Sequence, residues 1–399
     1  MDVISTLPDE ILCHILSFLP TRTSMATSVL SCRWCYLWRT VQVLDLNDRF
    51  CYNHERSSAG AHERFLAFLQ EFVPLLHSVR KFHLDLIPRA TSKPKLWKLY
   101  FSPSVDERSR RWYMRSDTLV SLVLHGNIYL HNVAPGEITL PSLKNLDMCV
   151  FSLNLGAFLY GCPVLETLRA SLDYKIKNNL ALVEHLALDS PSLEYLNLHL
   201  WSPCAQILVC DYPNMLKACL DIGAHWSKCD WLPKLLQALC KTKFLRLATS
   251  TTMGLLHDAP VLDLPDFCNL IHLQLDFEYL DIRVIDMLHN CPKLQALKIC
   301  ICERVPGYIL HRKDHASNVW TQPISIPNCI ISHLNTVEYQ GYQNTAEEQE
   351  FTSYILQRGL VLKTMAIHAN FFSECKKREI RKALSKIPRG SIMCRLKVD

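Results

Sequence analysis

The chain has 399 residues, 49% of them apolar, a net charge of +5 and only 11 glycines. That is enough apolar material for two or three domains or a repeat array, and so few glycines argue against Gly-rich phosphate loops and flexible linkers. The positive charge is local, because residues 374–399 carry nine Lys/Arg against three Asp/Glu while the rest is close to neutral; a nucleic-acid binder would instead carry a basic stripe on its folded body.

Asp2, Asp9 and Glu10 interrupt any cationic-then-apolar start, and no stretch reaches about 18 uncharged apolar residues, so neither a secretory leader nor a membrane span is expected. The 18 cysteines are then expected to be mostly free, buried thiols in a reducing compartment, cytosol or nucleus.

The first predicted element is a short helix. Pro8 has no N–H and a φ already suited to a helix, so it reads as a first-turn residue, with Asp9 and Glu10 where the helix dipole favours acids. Ile11, Ile15 and Leu19 recur every four residues beside Leu12 and Leu16, a wide apolar stripe, and Pro20 ends the pattern. A second helix starts near Thr21–Ser24 and runs to about Thr27; Ser31 can cap a third, through Cys32 to Arg39. A unit of about 40 residues cannot bury this much apolar surface alone. Leu7, Ile11, Leu12, Ile15, Leu16, Val29, Leu30, Trp34, Leu37 and Trp38 outnumber the places in one small core. Some of them must face a partner.

These residues carry a specific resemblance. Leu7-Pro8-Asp9-Glu10-Ile11-Leu12, Ile15-Leu16-Ser17-Phe18-Leu19-Pro20, Thr27-Ser28-Val29-Leu30-Ser31, Arg33-Trp34 and Leu37-Trp38 resemble a plant-type F-box over residues 2–40. The segment departs from it at Ser24, Met25, Ala26 and Cys32, where relatives usually carry charged side chains. An ordinary amphipathic hairpin would not bring pattern, caps and aromatics together in this way. The resemblance implies a three-helix unit that docks on a Skp-type adaptor and, through it, a cullin. It also implies an adaptor-facing pool of Leu7, Pro8, Ile11, Leu12, Ile15, Leu16, Val29, Leu30, Arg33, Trp34, Leu37 and Trp38, filling either the adaptor groove or the module's own core. Leu7-Pro8 should enter the adaptor, with residues around Trp34 beside them.

Further along, Val41 to Leu46 alternates as a strand does, Asn47 to Gly60 reads as a loop, and Glu63 to Leu76 has helical spacing. Then a repeat appears. The phrase L-x-x-L-x-L, with conservative swaps, occurs at Val79/Phe82/Leu84, Leu119/Leu122/Leu124, Leu143/Leu146/Met148 and Leu165/Leu168/Ala170. It continues at Leu193/Leu196/Leu198, Leu270/Leu273/Leu275 and Leu294/Leu297/Ile299, with weaker copies near Met215–Leu220 and Phe244–Leu247. Clear neighbours lie about 22–28 residues apart, the leucine-rich-repeat range. A proline often stands two residues before the phrase, as in Pro141-Ser142-Leu143 and Pro191-Ser192-Leu193, where it restarts the chain in extended form. Each unit offers one short parallel strand and a return, and neighbours must stack to cover its apolar face. The basic segment from Ile87 to Asp117 has no repeat phrase and reads as a solvated insertion.

Near the C-terminus, Ile326-Pro327-Asn328-Cys329, Ser332-His333-Leu334, Val337-Glu338-Tyr339, Gly341-Tyr342, Glu347-Glu348, Tyr354-Ile355-Leu356 and Leu362 to Ile367 resemble the FBD module of many plant F-box proteins. From the residues themselves the segment is a strand (Leu334–Tyr339), a turn at Gly341, a helix (about Ala346–Arg358) and a strand (Leu362–His368). Such a unit could seal a repeat array. A basic tail helix follows over Ser373–Lys386.

Catalytic and metal motifs are weak. Cys32-x2-Cys35 with Cys51-x2-His54 has nearly zinc-site spacing, but the F-box pattern already gives Cys32 and Cys35 helical positions. The sequence has no H-E-x-x-H, G-x-S-x-G, Walker or Rossmann fingerprint, and His83/Asp85 and His272/Asp276 read as surface pairs on strands. The composite expectation is an α/β chain: an N-terminal three-helix F-box (1–45), then a leucine-rich-repeat solenoid (46–318, irregular near 88–117). An FBD cap (319–370) and a basic tail (371–399) complete it. It needs no cofactor and no metal, binds neither nucleic acid nor membrane, and catalyses nothing itself. Its expected role is substrate receptor of a cullin-type ubiquitin ligase, its target not legible; the alternatives are a non-ligase interaction scaffold and a zinc-dependent or nucleic-acid-binding protein.

Overall fold

In the computed structural model every leucine phrase of the sequence runs into a β-strand. The structure describes residues 4–47, 79–86, 114–130, 136–153, 155–172, 175–176, 179–180, 183–200, 204–223, 231–257, 264–281, 283–302 and 325–399. The fold is mixed α/β, with helices at the N-terminal end and mostly parallel strands after them, and it divides into two units.

The first unit comprises residues 1–193 and 199–210. It opens with α1 (Asp9–Ser17), α2 (Thr21–Ala26) and α3 (Trp34–Leu37), with a 3-10 turn at Thr27–Val29 between α2 and α3 and another at Trp38–Thr40 after α3. Strands β1 (Val43–Asn47), β2 (Lys81–Leu86), β4 (Ser121–Leu130), β6 (Asn145–Leu153) and β7 (Thr167–Leu172) then pair in parallel in that order. Three smaller pairs accompany them. β3 (Met114–Arg115) joins β5 (Ile138–Thr139), β8 (Lys175–Ile176) meets β9 (Asn179–Leu180) antiparallel, and β10 (Val183–Leu188) joins β12 (Cys204–Val209). Along β2, Phe82 and Leu84 are buried while Lys81, His83 and Asp85 face outward, the period-two alternation of a strand covered on one face.

The second unit comprises residues 194–198 and 211–399. It holds the start of β11 (Tyr195–Leu200) and the parallel run β13 (Lys217–Ile222), β14 (Phe244–Leu247), β15 (His272–Phe277), β16 (Ala296–Ile301), β17 (Thr336–Gln340), β18 (Thr364–His368) and β19 (Arg395–Val398). Register sets Leu220, Leu247, Leu275, Ile299, Tyr339, Ile367 and Val398 in one row, each at most 1% exposed. Burying a side chain of this size contributes about 2 kcal/mol before entropy is counted, so the row is a continuous core running across the strands. Among the described residues one helix lies between each successive pair of strands from β13 to β19, the first Leu232–Ala238 and the last Glu374–Ser385, and those helices turn Leu235, Leu236, Ile285, Leu288, Phe351, Ile355, Ile380 and Leu384 inward.

Several boundaries differ from the sequence reading. Pro8 is extended (ψ 152°) and precedes α1 rather than occupying its first turn. α1 stops at Ser17, and Pro20 stands at the start of α2 instead of the end of α1. Ser31 does not cap α3 with its side chain; Arg33 is already helical, and the Ser31 carbonyl accepts from Cys35 N–H at 3.1 Å. β1 begins at Val43, two residues later than the alternation suggests. β19 and the helix Asn328–Ser332 are new. The predicted helix Glu63–Leu76, most of the basic segment, Cys51 and His54 lie outside the described residues.

Between β17 and β18 the backbone turns at Gly341 with φ +76°, where a Cβ would strike the Ile301 carbonyl. The following helix, Ala346–Arg358, begins with a capping box: Glu348 N–H donates to Thr345 Oγ1 at 3.3 Å and Thr345 N–H to Glu348 Oε2 at 3.0 Å.

Candidate functional site

The helix α1 carries two apolar stripes of opposite fate. Leu12 and Leu16, four residues apart, are fully buried. Trp34, Leu37 and Trp38, in α3 and the turn after it, are buried too, and α1 packs against both of those elements. On the adjacent stripe Ile11 (47% exposed), Ile15 (41%) and Phe18 (75%) follow one another at i, i+4 and i+7, the spacing of a single helix face. Pro8 is exposed and Leu7 half-buried beside them. Val29 and Leu30, in the turn after α2, are 85% and 65% exposed.

The twelve residues singled out from the sequence are thus divided. Leu12, Leu16, Trp34, Leu37 and Trp38 lie inside; Pro8, Ile11, Ile15, Val29, Leu30 and Arg33 lie outside, with Leu7 at the margin. Ile4, Phe18, Leu19 and Tyr36 are also exposed and were left out of that set. For Phe18 the signal was present, since it continues the Ile11–Ile15 stripe by one more turn. For Tyr36 the signal was masked, because it sits between Trp34 and Leu37 in a run of aromatic and apolar residues.

Arg33 ties this surface together. Its Nε and Nη2 donate to Asp9 Oδ1 at 2.8 and 2.6 Å, and Nη2 also donates to the Leu7 carbonyl. The turn entering α1 is thereby pinned to the start of α3. Trp38 Nε1 donates to the Cys35 carbonyl at 3.0 Å, and Arg39 lies over the Tyr36 ring at 5.0 Å. Ser24 is buried, and among the described residues its hydroxyl has no hydrogen-bond partner, so a charged side chain there would be stripped of water.

The outward faces of the strands carry polar side chains in pairs. In the first unit His125 Nε2 meets Asp147 Oδ1 at 2.9 Å, and His83 Nδ1 meets Asp45 Oδ1 at 3.1 Å. The hydrogen bond that His125 donates to Asp147 raises the His125 pKa above its ordinary value against the opposing pull of burial. In the second unit Arg246 donates twice to the buried Asp276 carboxylate, at 3.0 and 2.7 Å, so that carboxylate is held by an arginine from the neighbouring strand. His272 of the same strand packs near Phe244.

Nothing in these pairs resembles an activated nucleophile. Burial pushes the thiols of Cys162 and Cys300 up to about 12 and that of Cys329 up to about 11, away from the thiolate that reaction requires. No group of His, Cys, Asp and Glu among the described residues is arranged to hold a metal ion. Cys32 and Cys35 are exposed on either side of the buried Trp34. No helix among the described residues is long and apolar enough to cross a membrane.

Known proteins with similar sequences agree on two segments. Residues 4–46 match the F-box domain family and residues 322–367 the FBD family. A putative FBD-associated F-box protein of Arabidopsis thaliana is 30% identical over 448 residues, an alignment covering 99% of both chains. An F-box/FBD/LRR-repeat protein of the same plant is 27% identical over 448 residues, covering all of both chains. Another FBD-associated F-box protein is 27% identical over 439 residues, covering 97% of this chain and 99% of its own.

Proposed function

This chain belongs to the FBD-associated F-box proteins, and we propose that it is a substrate-recognition subunit of an SCF-type ubiquitin ligase, docking on a Skp-type adaptor through its N-terminal helices. One observation carries the reading. Ile11, Ile15 and Phe18 form an exposed apolar stripe on a helix whose Leu12 and Leu16 are buried, and Pro8, Val29 and Leu30 are exposed as well. A contiguous apolar patch of this kind on an otherwise well-packed unit marks a protein–protein interface. The buried members of the predicted set, Leu12, Leu16, Trp34, Leu37 and Trp38, then act as the platform that holds the stripe in place.

We read residues 1–45 as the three-helix F-box and 46–318 as a leucine-rich-repeat solenoid. Residues 319–370 are the FBD module and 371–399 its basic tail. The parallel strands β17 and β18 lie within or at the edge of the FBD match and continue the register of β16, which supports reading the module as an extension of the repeat stack. The outward face of the strands holds the target, and the assembly works by holding a target lysine near the charged ubiquitin carrier, a proximity effect. The chain supplies no catalytic group of its own.

Co-purification tests the assignment. Leu7→Ala with Pro8→Ala should abolish recovery of the adaptor while the purified chain keeps its melting behaviour. Undiminished recovery would remove the ligase reading.

A further inference from the structure

The outward face of the second unit matches most of its charges internally: Arg246 with Asp276 at 2.7 Å and Lys298 with Glu338 at 3.0 Å. Lys217 is different. Among the described residues no carboxylate lies within 4.0 Å of its ammonium. Instead Nζ sits 4.5 Å from the centre of the Phe244 ring and 5.6 Å from that of Tyr195. His272 continues the row, its ring 6.3 Å from Phe244. Register explains the alignment, since Lys217, Phe244 and His272 are direct neighbours on β13, β14 and β15. Tyr195 stands at the start of β11, where the Glu194 carbonyl accepts from Leu216 and Lys217 N–H.

Tyr195, Lys217 and Phe244 are half-buried and His272 is exposed, so the row is accessible yet partly dry. A cation flanked by aromatic faces is held partly out of water, and an anion that reaches it meets less screening than at an open surface. Aromatic rings beside a fixed cation are also the residue types that dominate protein interfaces. Four neighbouring strands span about 14 Å, the length of four or five residues of extended peptide.

We propose that this row docks an acidic segment of the target protein, one Asp or Glu carboxylate seated on Lys217 with apolar side chains against Phe244 and Tyr195. The inference rests on the reading that the outward strand face holds the target. A carboxylate fits better than a phosphate, because phosphate recognition draws on arginine forks and the Arg246 fork is committed to Asp276. A polyanion such as RNA would need a string of free cations, and this row offers one lysine and a histidine.

The test is selection of random linear peptides against the purified full chain, with adaptor binding measured separately on the same preparation. Selected peptides should be rich in Asp and Glu beside aromatic or aliphatic residues. Lys217→Met, which keeps the apolar stem, should weaken them about tenfold, and Lys217→Glu should turn the selection toward basic peptides. Selection without acidic bias, or affinity indifferent to Lys217→Met, overturns the proposal. So does a phosphoserine version of a selected peptide that binds more than about tenfold tighter than its Glu version. Circular dichroism melting of each variant separates lost contact from lost fold. Loss of adaptor binding with the acidic selection intact would sink the ligase reading and leave this site standing.

Discussion

The carboxylate of Asp9 and the guanidinium of Arg33 meet at 2.6 Å across the entry to α1 and the start of α3. Both side chains are well exposed, so the pair itself stabilises the fold by less than about 1 kcal/mol. Its consequence is positional, because the same guanidinium holds the Leu7 carbonyl and so fixes the Leu7-Pro8 turn. Arg33→Ala should therefore barely shift the urea midpoint while lowering affinity for the adaptor about tenfold. Arg33→Lys, which keeps the charge but cannot hold Asp9 and Leu7 together, should recover only part of it. Denaturation and adaptor titration of the same proteins read the two effects separately.

Glu348 poses the opposite case, a carboxylate that is almost wholly buried. Its two oxygens accept from Tyr339 Oη at 2.9 Å, Gln343 N–H at 2.9 Å and Thr345 N–H at 3.0 Å. Burial outweighs these donors and raises its pKa above the ordinary carboxylate value. A carboxyl whose pKa is higher folded than unfolded binds more protons in the native state. Its contribution to stability therefore grows as pH falls from above the folded pKa toward the unfolded value. Glu348→Ala strands three donors and should cost about 3 kcal/mol. Glu348→Gln keeps an acceptor and should cost less, and the part of the stability–pH slope above pH ~4.5 that comes from this group should vanish. Urea titrations at a series of pH values check both.

What could be read from the sequence followed periodicity. The helix Ala346–Arg358 has the bounds expected of it, because its Thr345–Glu348 cap, its spaced apolar residues and the glycine after Arg358 all mark them. The strands at the leucine phrases were legible for the same reason: period two inside, punctuation by proline outside. Less legible was which apolar residues of α1 turn inward. Ile11, Leu12, Ile15 and Leu16 form two adjacent i, i+4 ladders of equal hydrophobicity, and only packing against Trp34 and Leu37 decides between them. β19 escaped because Arg395-Leu396-Lys397-Val398 is short and half cationic, as edge strands often are. The partner of Asp276 escaped because Arg246 lies one repeat away on the neighbouring strand, and sequence proximity favoured His272 instead.

The His125–Asp147 pair offers a measurement independent of any partner. With Asp147 accepting at 2.9 Å and Asp85 adding to the field, the His125 pKa stands above its ordinary value despite the opposing effect of burial. A raised histidine pKa contributes stability that is fully present below the unfolded value and lost as pH rises through the folded one. Asp147→Asn removes the charge and weakens the acceptor, so the imidazole should titrate lower than in the parent. NMR titration of the imidazole Cε1–H gives both values. A pKa unmoved by Asp147→Asn would mean that the pair does not persist in solution.

The neighbours Ile15 and Leu16 test the division of α1 directly. Leu16 is 1% exposed and belongs to the core, so Leu16→Ala should cost about 3 kcal/mol, the transfer term plus a cavity. Ile15 is 41% exposed on the stripe. Ile15→Asp places a charge where water already reaches, and the chain should keep its stability to within about 0.5 kcal/mol. The same change sets a carboxylate in the middle of the proposed adaptor interface, where it would be stripped of water with nothing to pair it, and binding should fall by at least about a hundredfold. The free chain gives a second readout, because an uncovered apolar stripe promotes self-association and Ile15→Asp should lower its apparent mass in sedimentation. If Ile15→Asp instead unfolds the chain while Leu16→Ala is neutral, the two faces of α1 are exchanged and the docking surface lies on the other side.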